Sequence, residues 1–227
     1  MVKHSECVAR LEGVTKTFYG KPVVDGASLE LRKGEIALIT GESGSGKSTI
    51  MRLLSGIEKP DSGLVEVLGN DLSKLSDKKL GKLMAQYVGV GFQAHNLDTN
   101  MTVRDNLIGL TEATGKQVDV NRAVDLIKRL DLVGRLQEKA SVLSGGQKLR
   151  LAFGAVMLAR PDVLMLDEPT YALDHNSKQQ MFEDIAVACH EDNVSALIVT
   201  HDVEPARAIA DREYVMQDGR LYETAVA

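Results

Sequence analysis

Hydrophobic and polar positions follow two different patterns along the chain. Residues 8–14 and 27–32 alternate between apolar and polar side chains, which is typical of antiparallel strands with one buried face. Residues 163–166 and 196–199 are continuously apolar, as in parallel strands that are buried on both faces. The sequence therefore predicts an antiparallel β part near the N-terminus and a mostly parallel sheet further along the chain.

Apolar residues recur at helical spacing over 121–130 and 147–158, and the second of these segments stops before a proline. The polar segment 110–119 predicts a surface loop. Because strands alternate with helices along most of the chain, we predict an α/β fold. We place it in a single domain over residues 1–227, with an inserted α-helical subdomain at approximately residues 94–159.

Composition narrows the class of protein. The hydrophobic content of 44% is ample for a buried core, and 4% aromatic residues without Trp predict an aliphatic one. The net charge of −5 argues against a surface that binds duplex nucleic acid. Cys7 and Cys189 form no CxxC pair, so we expect reduced thiols in a cytosolic protein, with neither a disulfide nor a metal.

Targeting signals are not expected from this sequence. Residues 1–6 lack an apolar stretch, so no signal peptide is predicted. No apolar segment approaches the length needed to cross a bilayer. If the protein works at a membrane, another chain is expected to supply the membrane-spanning part.

A glycine-rich stretch at 41–49 carries the clearest chemistry. It fits the pattern G-x-x-x-x-G-K-[ST] between a predicted strand and a helix over 47–55, for which Gly56 is a plausible stop. Such a loop turns successive backbone N–H groups toward polyphosphate oxygens. Lys47 can then reach the β- and γ-phosphates, and the Ser48 hydroxyl can bind Mg²⁺. The sequence thus predicts a nucleoside triphosphate site, whose expected contacts are Gly41, Glu42, Ser43, Gly44, Ser45, Gly46, Lys47, Ser48 and Thr49.

Charged residues follow two of the predicted buried strands. Asp167 and Glu168 come after residues 163–166, and His201 and Asp202 come after the strand at 196–199. Ligands of parallel sheets bind beyond the carboxyl ends of the strands. An acidic pair at that position is costly to desolvate unless it meets a cation, and Mg²⁺ is the natural one beside a triphosphate. A lone histidine is more often structural, but its place at a strand end favours a role for His201.

The pentapeptide LSGGQ at 143–147, together with the phosphate loop, gives the chain a family resemblance. It resembles the nucleotide-binding subunit of an ATP-binding cassette (ABC) transporter, which implies a P-loop NTPase core. The likeness covers nearly the whole chain, and its motifs occur in the family's order and spacing. Besides the two stretches already named, these motifs are the glutamine loop at 91–93, the magnesium strand at 164–170, the D-loop at 172–174 and the switch histidine at 200–202.

The resemblance implies a role for individual residues. Phe18 matches the aromatic residue that stacks on adenine, with Tyr19 as the alternative if the alignment is off by one. Magnesium would be held by Ser48, Asp167 and Gln93. Glu168 would orient the attacking water or accept its proton, and His201 would sense the γ-phosphate. The expected catalytic residues are therefore Lys47, Gln93, Glu168 and His201.

The signature stretch implies a second chain. Ser144, Gly145, Gly146 and Gln147 open a predicted helix and offer backbone N–H groups to an anion. In the family this loop binds the nucleotide held by the phosphate loop of another subunit, and the resemblance implies that Asp174 of the D-loop also belongs to the nucleotide-binding residues. The resemblance therefore implies two ATP molecules between head-to-tail cassettes, in a homodimer or a dimer with a paralogous cassette.

Some positions depart from the family pattern. Tyr171 stands where a small serine is usual, and Gly154-Ala155 replaces an Ala-Arg pair. A glycine inside a helix is unfavourable by about 1 kcal/mol relative to alanine. The departures put the interface packing in question, but they touch no phosphate-binding group.

The resemblance implies an ATPase that powers a separate transmembrane permease, on the inner face of the cell membrane and without nucleic acid. Residues 93–107 resemble the compact cassettes of lipoprotein release, macrolide efflux or bacterial cell division, although amino-acid importers share much of this pattern. The alternative is a soluble non-transport cassette for iron–sulfur assembly or nucleic-acid-associated work. A membrane permease gene next to this one would favour transport.

Overall fold

The computed structural model describes residues 7–91, 97–171 and 173–225. Within these ranges the strands form an antiparallel sheet and a mostly parallel sheet, and helices cover the parallel one. In chain order the elements are β1 (Cys7–Phe18), β2 (Lys21–Arg32), β3 (Ile36–Gly41), α1 (Lys47–Leu54), β4 (Ser62–Val67), β5 (Asn70–Asp71), α2 (Asp77–Tyr87), β6 (Val88–Gly91), α3 (Val103–Ala113), α4 (Val120–Arg129), α5 (Gly145–Leu158), β7 (Val163–Asp167), α6 (His175–Asp192), β8 (Ser195–Val199), α7 (Val203–Arg207), β9 (Arg212–Gln217) and β10 (Arg220–Thr224).

The antiparallel sheet has the strand order β2-β1-β4-β5. Its alternating sequence works as predicted: Leu29 and Leu31 are buried in β2, whereas Glu30 between them is exposed. The side chains of a strand point to opposite faces in turn, so every second residue reaches the core.

The mostly parallel sheet has the order β10-β9-β3-β8-β7-β6, and only its edge pair β9–β10 is antiparallel within the part of the chain that is described. Every residue of β7 and β8 is buried, because both faces of these strands are covered. The predicted α/β fold class, with its antiparallel β part and mostly parallel sheet, is confirmed.

The core lies on both faces of this parallel sheet. Ile36 and Leu38 of β3 pack with the helices α3–α6, whereas Ala37 and Ile39 pack with α1 and the antiparallel sheet. The buried side chains are mainly aliphatic, as the composition predicts. Among residues 7–91, 97–171 and 173–225, no helix combines the length and the hydropathy that a membrane-spanning segment requires.

The sequence predicts two of the helices between β6 and β7 correctly. The elements α4 and α5 match the predicted helices within about two residues, which is the usual uncertainty of a helix end. The loop prediction for 110–119 is wrong at its start, because α3 continues to Ala113. Thr111 is 1% exposed and extends the buried stripe of Val103 and Leu107, although its side chain is polar.

Strand register brings the sequence motifs together. In the parallel pairing, Val199 lies opposite both Ile39 and Asp167. The residues that follow β3, β7 and β8 therefore meet at one edge of the sheet. These are the phosphate loop, Glu168 and the segment that carries His201.

Candidate functional site

The loop between β3 and α1 requires glycine at two positions. Gly41 (φ 141°) and Gly46 (φ 109°) adopt backbone conformations that other residues rarely reach. A Cβ atom at Gly41 would lie 2.3 Å from the carbonyl oxygen of Met216, and one at Gly46 would lie 2.6 Å from that of Val23. This close approach lets the chain turn sharply and begin α1 at Lys47, with the positive end of the helix at the loop.

The side chain of Lys47 reaches back to the first residues of this loop. Its Nζ donates hydrogen bonds to the carbonyl oxygens of Gly41 and Glu42, each at 2.8 Å. Burial lowers the pKa of Lys47, while the nearby carboxylates of Glu168 and Asp167 act in the opposite direction. The ammonium group is therefore held by backbone oxygens at a place where a phosphate could replace them.

Polar atoms without a partner mark the same place. Among the described residues, the buried Ser45 Oγ and Asp167 Oδ1 make no hydrogen bond. A buried polar atom without a partner is rare and calls for a ligand or another explanation. Burial raises the pKa of Asp167, and the Ser48 hydroxyl and the Lys47 ammonium partly offset this effect.

These oxygens suit a hard divalent cation. Mg²⁺ is usually bound through one or two carboxylates together with phosphate oxygens and water, rather than by a cage of side chains. The unpartnered oxygen of Asp167 and the hydroxyl of Ser48 fit that mode. Within the described ranges, no group of three or more His, Cys, Asp or Glu side chains could hold a metal by itself.

Glu168 is held toward the loop that follows β8. Its backbone has a positive φ of 53°, and its N–H donates to the carbonyl oxygen of Val199 at 2.8 Å. The Thr200 hydroxyl and the His201 N–H donate to Glu168 Oε2, each at 3.2 Å. A non-glycine residue in this backbone region is strained, and such strain concentrates at functional sites.

A cavity of about 270 Å³ gathers the predicted residues. Its walls come from the phosphate loop and from the ends of β7 and β8. The lining residues that the sequence predicts for the site are Ser43, Gly44, Gly46, Lys47, Ser48, Thr49, Asp167, Glu168 and His201. A larger cavity of about 580 Å³ lies between α3, α5 and β6, but no phosphate-loop residue lines it.

The signature residues lie away from this cavity. Ser144 caps α5: its hydroxyl accepts from the Gln147 N–H at 3.2 Å, and its own N–H donates to Gln147 Oε1 at 3.0 Å. This reciprocal capping box has a sequence signal, S-x-x-Q, at residues 144–147. None of the residues from Ser144 to Gln147 lines the phosphate cavity.

The adenine and D-loop candidates are also apart from the cavity lining. Phe18 is half-buried at the end of β1, with Lys16 Nζ 5.2 Å from its ring centroid. Tyr19 is fully exposed. Asp174 caps α6, accepting from the Ser177 N–H at 3.1 Å. Hydrogen bonds from Ser177 lower the pKa of Asp174.

Some of the family-motif positions are not described, and some positions that depart from the family pattern are. Gln93 and Ala172 lie outside the described residues. Tyr171 is exposed on the turn after Glu168. Gly154 has a packing reason that the sequence could not reveal: a Cβ there would lie 2.4 Å from Leu130 Cδ1.

The sequence did not predict the contacts that support the site. Thr170 and Lys178 both bind Asp202, the neighbour of His201. Glu213, in β9, accepts a hydrogen bond from Thr40 at the end of β3. These contacts join residues far apart in sequence, and no spacing within the chain signals them.

Fold and site together define an α/β protein with a phosphate-binding type of loop after β3. The sequence model of the ABC transporter family matches residues 24–171. The chain belongs to the ABC transporter family, as an ATP-binding cassette.

Individual relatives agree with this assignment. The chain is 40% identical over 225 residues to the methionine import ATP-binding protein MetN of Mesorhizobium japonicum, covering 96% of this chain and 60% of MetN. It is 36% identical over 203 residues to the lipoprotein-releasing system ATP-binding protein LolD of Hydrogenovibrio crunogenus, covering 88% of this chain and 87% of LolD. The chain thus spans about 60% of the length of the MetN relatives that it matches.

Solved structures show the same fold. A dimeric ATP-binding cassette, MJ0796, in a post-hydrolysis state bound to ADP and Pi, superposes with a TM-score of 0.86 at 27% identity. The match covers 96% of this chain and 99% of that one. These comparisons confirm the family and the fold class that the motifs and strand patterns predict.

Proposed function

We propose that this chain binds and hydrolyses MgATP and thereby powers a separate transmembrane permease. The observation that carries the proposal is the convergence of Lys47, Asp167, Glu168 and His201 on one cavity at the carboxyl edge of the parallel sheet. Lys47 begins α1, Asp167 and Glu168 lie at the end of β7, and His201 follows β8, so three elements of the fold assemble the site.

The phosphate loop binds the triphosphate. Backbone N–H groups of residues 43–49 surround the terminal phosphates, and the helix α1 directs its positive end at them. Lys47 exchanges its bonds to Gly41 and Glu42 for charge-assisted bonds to the β- and γ-phosphates. Phe18 stacks on the adenine ring.

Ser48 and Asp167 hold the magnesium ion, with Gln93 as a further ligand. A magnesium ion held by these residues would supply positive charge to offset the negative charge that develops during phosphoryl transfer. The unpartnered oxygen of Asp167 supports this assignment.

Glu168 acts on the attacking water, and His201 acts on the γ-phosphate. Glu168 orients the attacking water and accepts its proton, which requires the carboxylate to face the γ-phosphate. His201 contacts the γ-phosphate, and its ring lies 3.5 Å from Glu168 in the present arrangement. Loss of the γ-phosphate removes its contact with His201 and so frees the loop that carries this residue.

Two chains complete each nucleotide site. The N-terminus of α5, where Ser144 and Gly145 are exposed and Gly146 and Gln147 are half-buried, binds the γ-phosphate held by another cassette. Asp174 lies at the same interface. The dimeric state of a cassette with a TM-score of 0.86 supports a head-to-tail dimer, either of this chain or with a paralogous cassette.

The import and lipoprotein-release relatives support a transport role rather than a soluble non-transport one. In this proposal the chain is a single cassette over residues 1–227, with its helical subdomain at about 94–159. It binds the cytoplasmic side of a permease and no nucleic acid.

Two measurements test the proposal. Purified protein should release phosphate from MgATP, and Lys47→Ala should abolish the release. The tagged chain should copurify with an integral membrane permease from detergent-solubilised membranes. No phosphate release by the wild-type chain would contradict the ATPase, and recovery without any membrane protein would contradict the transport role.

A further inference from the structure

Asp202 is held by side chains from two other parts of the chain. Thr170 Oγ1 donates to Asp202 Oδ2 at 2.7 Å, and Lys178 Nζ donates to Asp202 Oδ1 at 2.6 Å. Thr170 is fully buried in the loop after β7, and Lys178 lies in the first turns of α6. The Asp202 carboxylate therefore joins the loop that carries Glu168, the helix α6 and the loop that carries His201.

This carboxylate does not serve the role that its position favours. Asp202 precedes α7, where an aspartate usually accepts a hydrogen bond from a backbone N–H of the helix. No such side-chain bond is made among the described residues. Both oxygens are committed to Thr170 and Lys178 instead, which identifies Asp202 as a tertiary link.

The link to Lys178 is ionic at neutral pH. Burial raises the pKa of Asp202, but hydrogen bonds from Lys178 and Thr170 outweigh this effect and keep the pKa below its ordinary value. The side chains of Lys178 and Asp202 are 26% and 23% exposed, so solvent weakens the pair less than it weakens a pair on the open surface.

Lys178 is connected in turn to the start of α6. Its backbone N–H donates to the carbonyl oxygen of Asp174 at 2.9 Å. Leu173, which precedes Asp174, packs against the start of α5. A Cβ atom at Gly146 of that helix would lie 2.7 Å from Leu173 Cδ2. The start of α6 therefore contacts both α5, through Leu173, and Asp202, through Lys178.

We propose that Lys178 is a positioning residue for ATP hydrolysis, which fixes the His201 loop relative to the turn at the start of α6 through Asp202. The inference rests on the proposed ATPase function. Neither Lys178 nor Asp202 lines the phosphate cavity. Removing the link should therefore lower the rate of hydrolysis without weakening nucleotide binding, since small misplacements at a catalytic centre reduce the rate strongly.

The test compares three substitutions in the full chain. We expect Lys178→Met to lower kcat by about tenfold. The KM and the MgATP Kd from isothermal titration should stay within about twofold of wild type. Lys178→Arg, which can keep the pair with Asp202, should restore most of the rate. Lys79→Met is the matched control, because Lys79 is exposed on the helix α2 and loses the same charge.

A double variant tests whether Lys178 acts through Asp202. If it does, Lys178→Met combined with Asp202→Ala should be no slower than the slower single variant, because both changes remove one link. Multiplied effects, or a Lys178→Met rate within about twofold of wild type, would overturn the proposal. If Lys178→Met does not fold, Asp202→Ala cuts the same link, and an unchanged kcat in that folded variant is the contradicting result.

The outcome for Lys178 is separable from that for the ATPase. Hydrolysis by the wild-type chain that is lost in Lys47→Ala supports the proposed function, whichever way the Lys178 variants behave. Absence of hydrolysis in the wild-type chain would overturn both proposals.

Discussion

The imidazole Nε2 of His201 lies 3.5 Å from the carboxylate Oε1 of Glu168. The two residues follow the neighbouring parallel strands β8 and β7, and the Thr200 hydroxyl donates to the other Glu168 oxygen at 3.2 Å. The group proposed to activate water is therefore held by the loop proposed to sense the γ-phosphate.

Replacement of Glu168 by glutamine should separate binding from hydrolysis. The amide keeps the size of the side chain but cannot accept a proton, so hydrolysis should slow by about a hundredfold or more. MgATP affinity should be unchanged, and ATP-bound dimers should accumulate in size-exclusion chromatography. Near-normal turnover of Glu168→Gln would remove Glu168 from the catalytic role.

Lys47→Ala should weaken nucleotide binding itself. Loss of the charge-assisted bonds to phosphate is expected to be unfavourable by about 1.5–3 kcal/mol. Isothermal titration with MgATP should accordingly show a Kd raised by about tenfold or more. The exposed Lys79→Ala variant, which loses the same charge, should bind normally. An unchanged Kd for Lys47→Ala would contradict the phosphate-loop assignment.

Glu213 should make stability depend on pH. Hydrogen bonds from Arg207 lower the pKa of this buried carboxyl, and the Thr40 hydroxyl adds to the effect. A lowered pKa means that the stabilisation is present above the unfolded-state pKa, about 4.3, and is lost as the pH falls through the lower folded-state value.

The variant Glu213→Gln tests this dependence. At neutral pH it should reduce the free energy of unfolding by about 2 kcal/mol, and the difference should narrow below about pH 4. Glu183→Gln, on the exposed face of α6, should behave like wild type in the same denaturation series. A deficit of Glu213→Gln that is equal at both pH values would exclude the ionised carboxylate as its source.

Gly154→Ala should destabilise the protein although alanine favours helices. The added Cβ would lie 2.4 Å from Leu130 Cδ1 and 3.3 Å from Leu107 Cδ1, both of which are buried. Overpacking of this kind costs about 1–3 kcal/mol, against about 1 kcal/mol gained from helix propensity. Gly81→Ala in α2 is the control, because nothing lies near its Cβ position and the variant should be stabilised. A higher Tm for Gly154→Ala would contradict the packing explanation.

The sequence revealed the fold where local pattern and burial coincide. Alternation in β2 and continuous apolar runs in β7 and β8 predict their pairing type, because solvent exposure sets those patterns. It failed at Thr111, where a polar residue lies in the buried stripe of α3. Tertiary packing buries Thr111, and the residue type alone does not predict that burial.

The site divides in the same way. The phosphate loop and the acidic pair at the end of β7 are each contiguous in sequence, so their chemistry could be predicted from the sequence alone. The strand neighbours that bring His201 beside Glu168, and the bond from Lys178 to Asp202, depend on sheet order and helix placement. The need for glycine at position 154 likewise arises from Leu130 on another helix.

Ser144→Arg should leave the phosphate loop of its own chain intact. A bulky cation at the start of α5 blocks the approach of this helix to the nucleotide of another subunit. MgATP binding by the monomer should therefore survive, whereas ATP-driven dimerisation on a Glu168→Gln background and hydrolysis should be lost. Dimerisation of the Ser144→Arg protein with ATP would contradict the role of the signature loop.

The most direct test of a site shared between two chains is phosphate release by an equimolar mixture of Ser144→Arg and Lys47→Ala proteins. In a head-to-tail heterodimer, both defects fall in one composite site and the other site is intact. Neither variant should hydrolyse ATP alone, and random pairing should restore about a quarter of the wild-type rate. A mixture that releases phosphate no faster than the sum of its separate components would contradict the composite site.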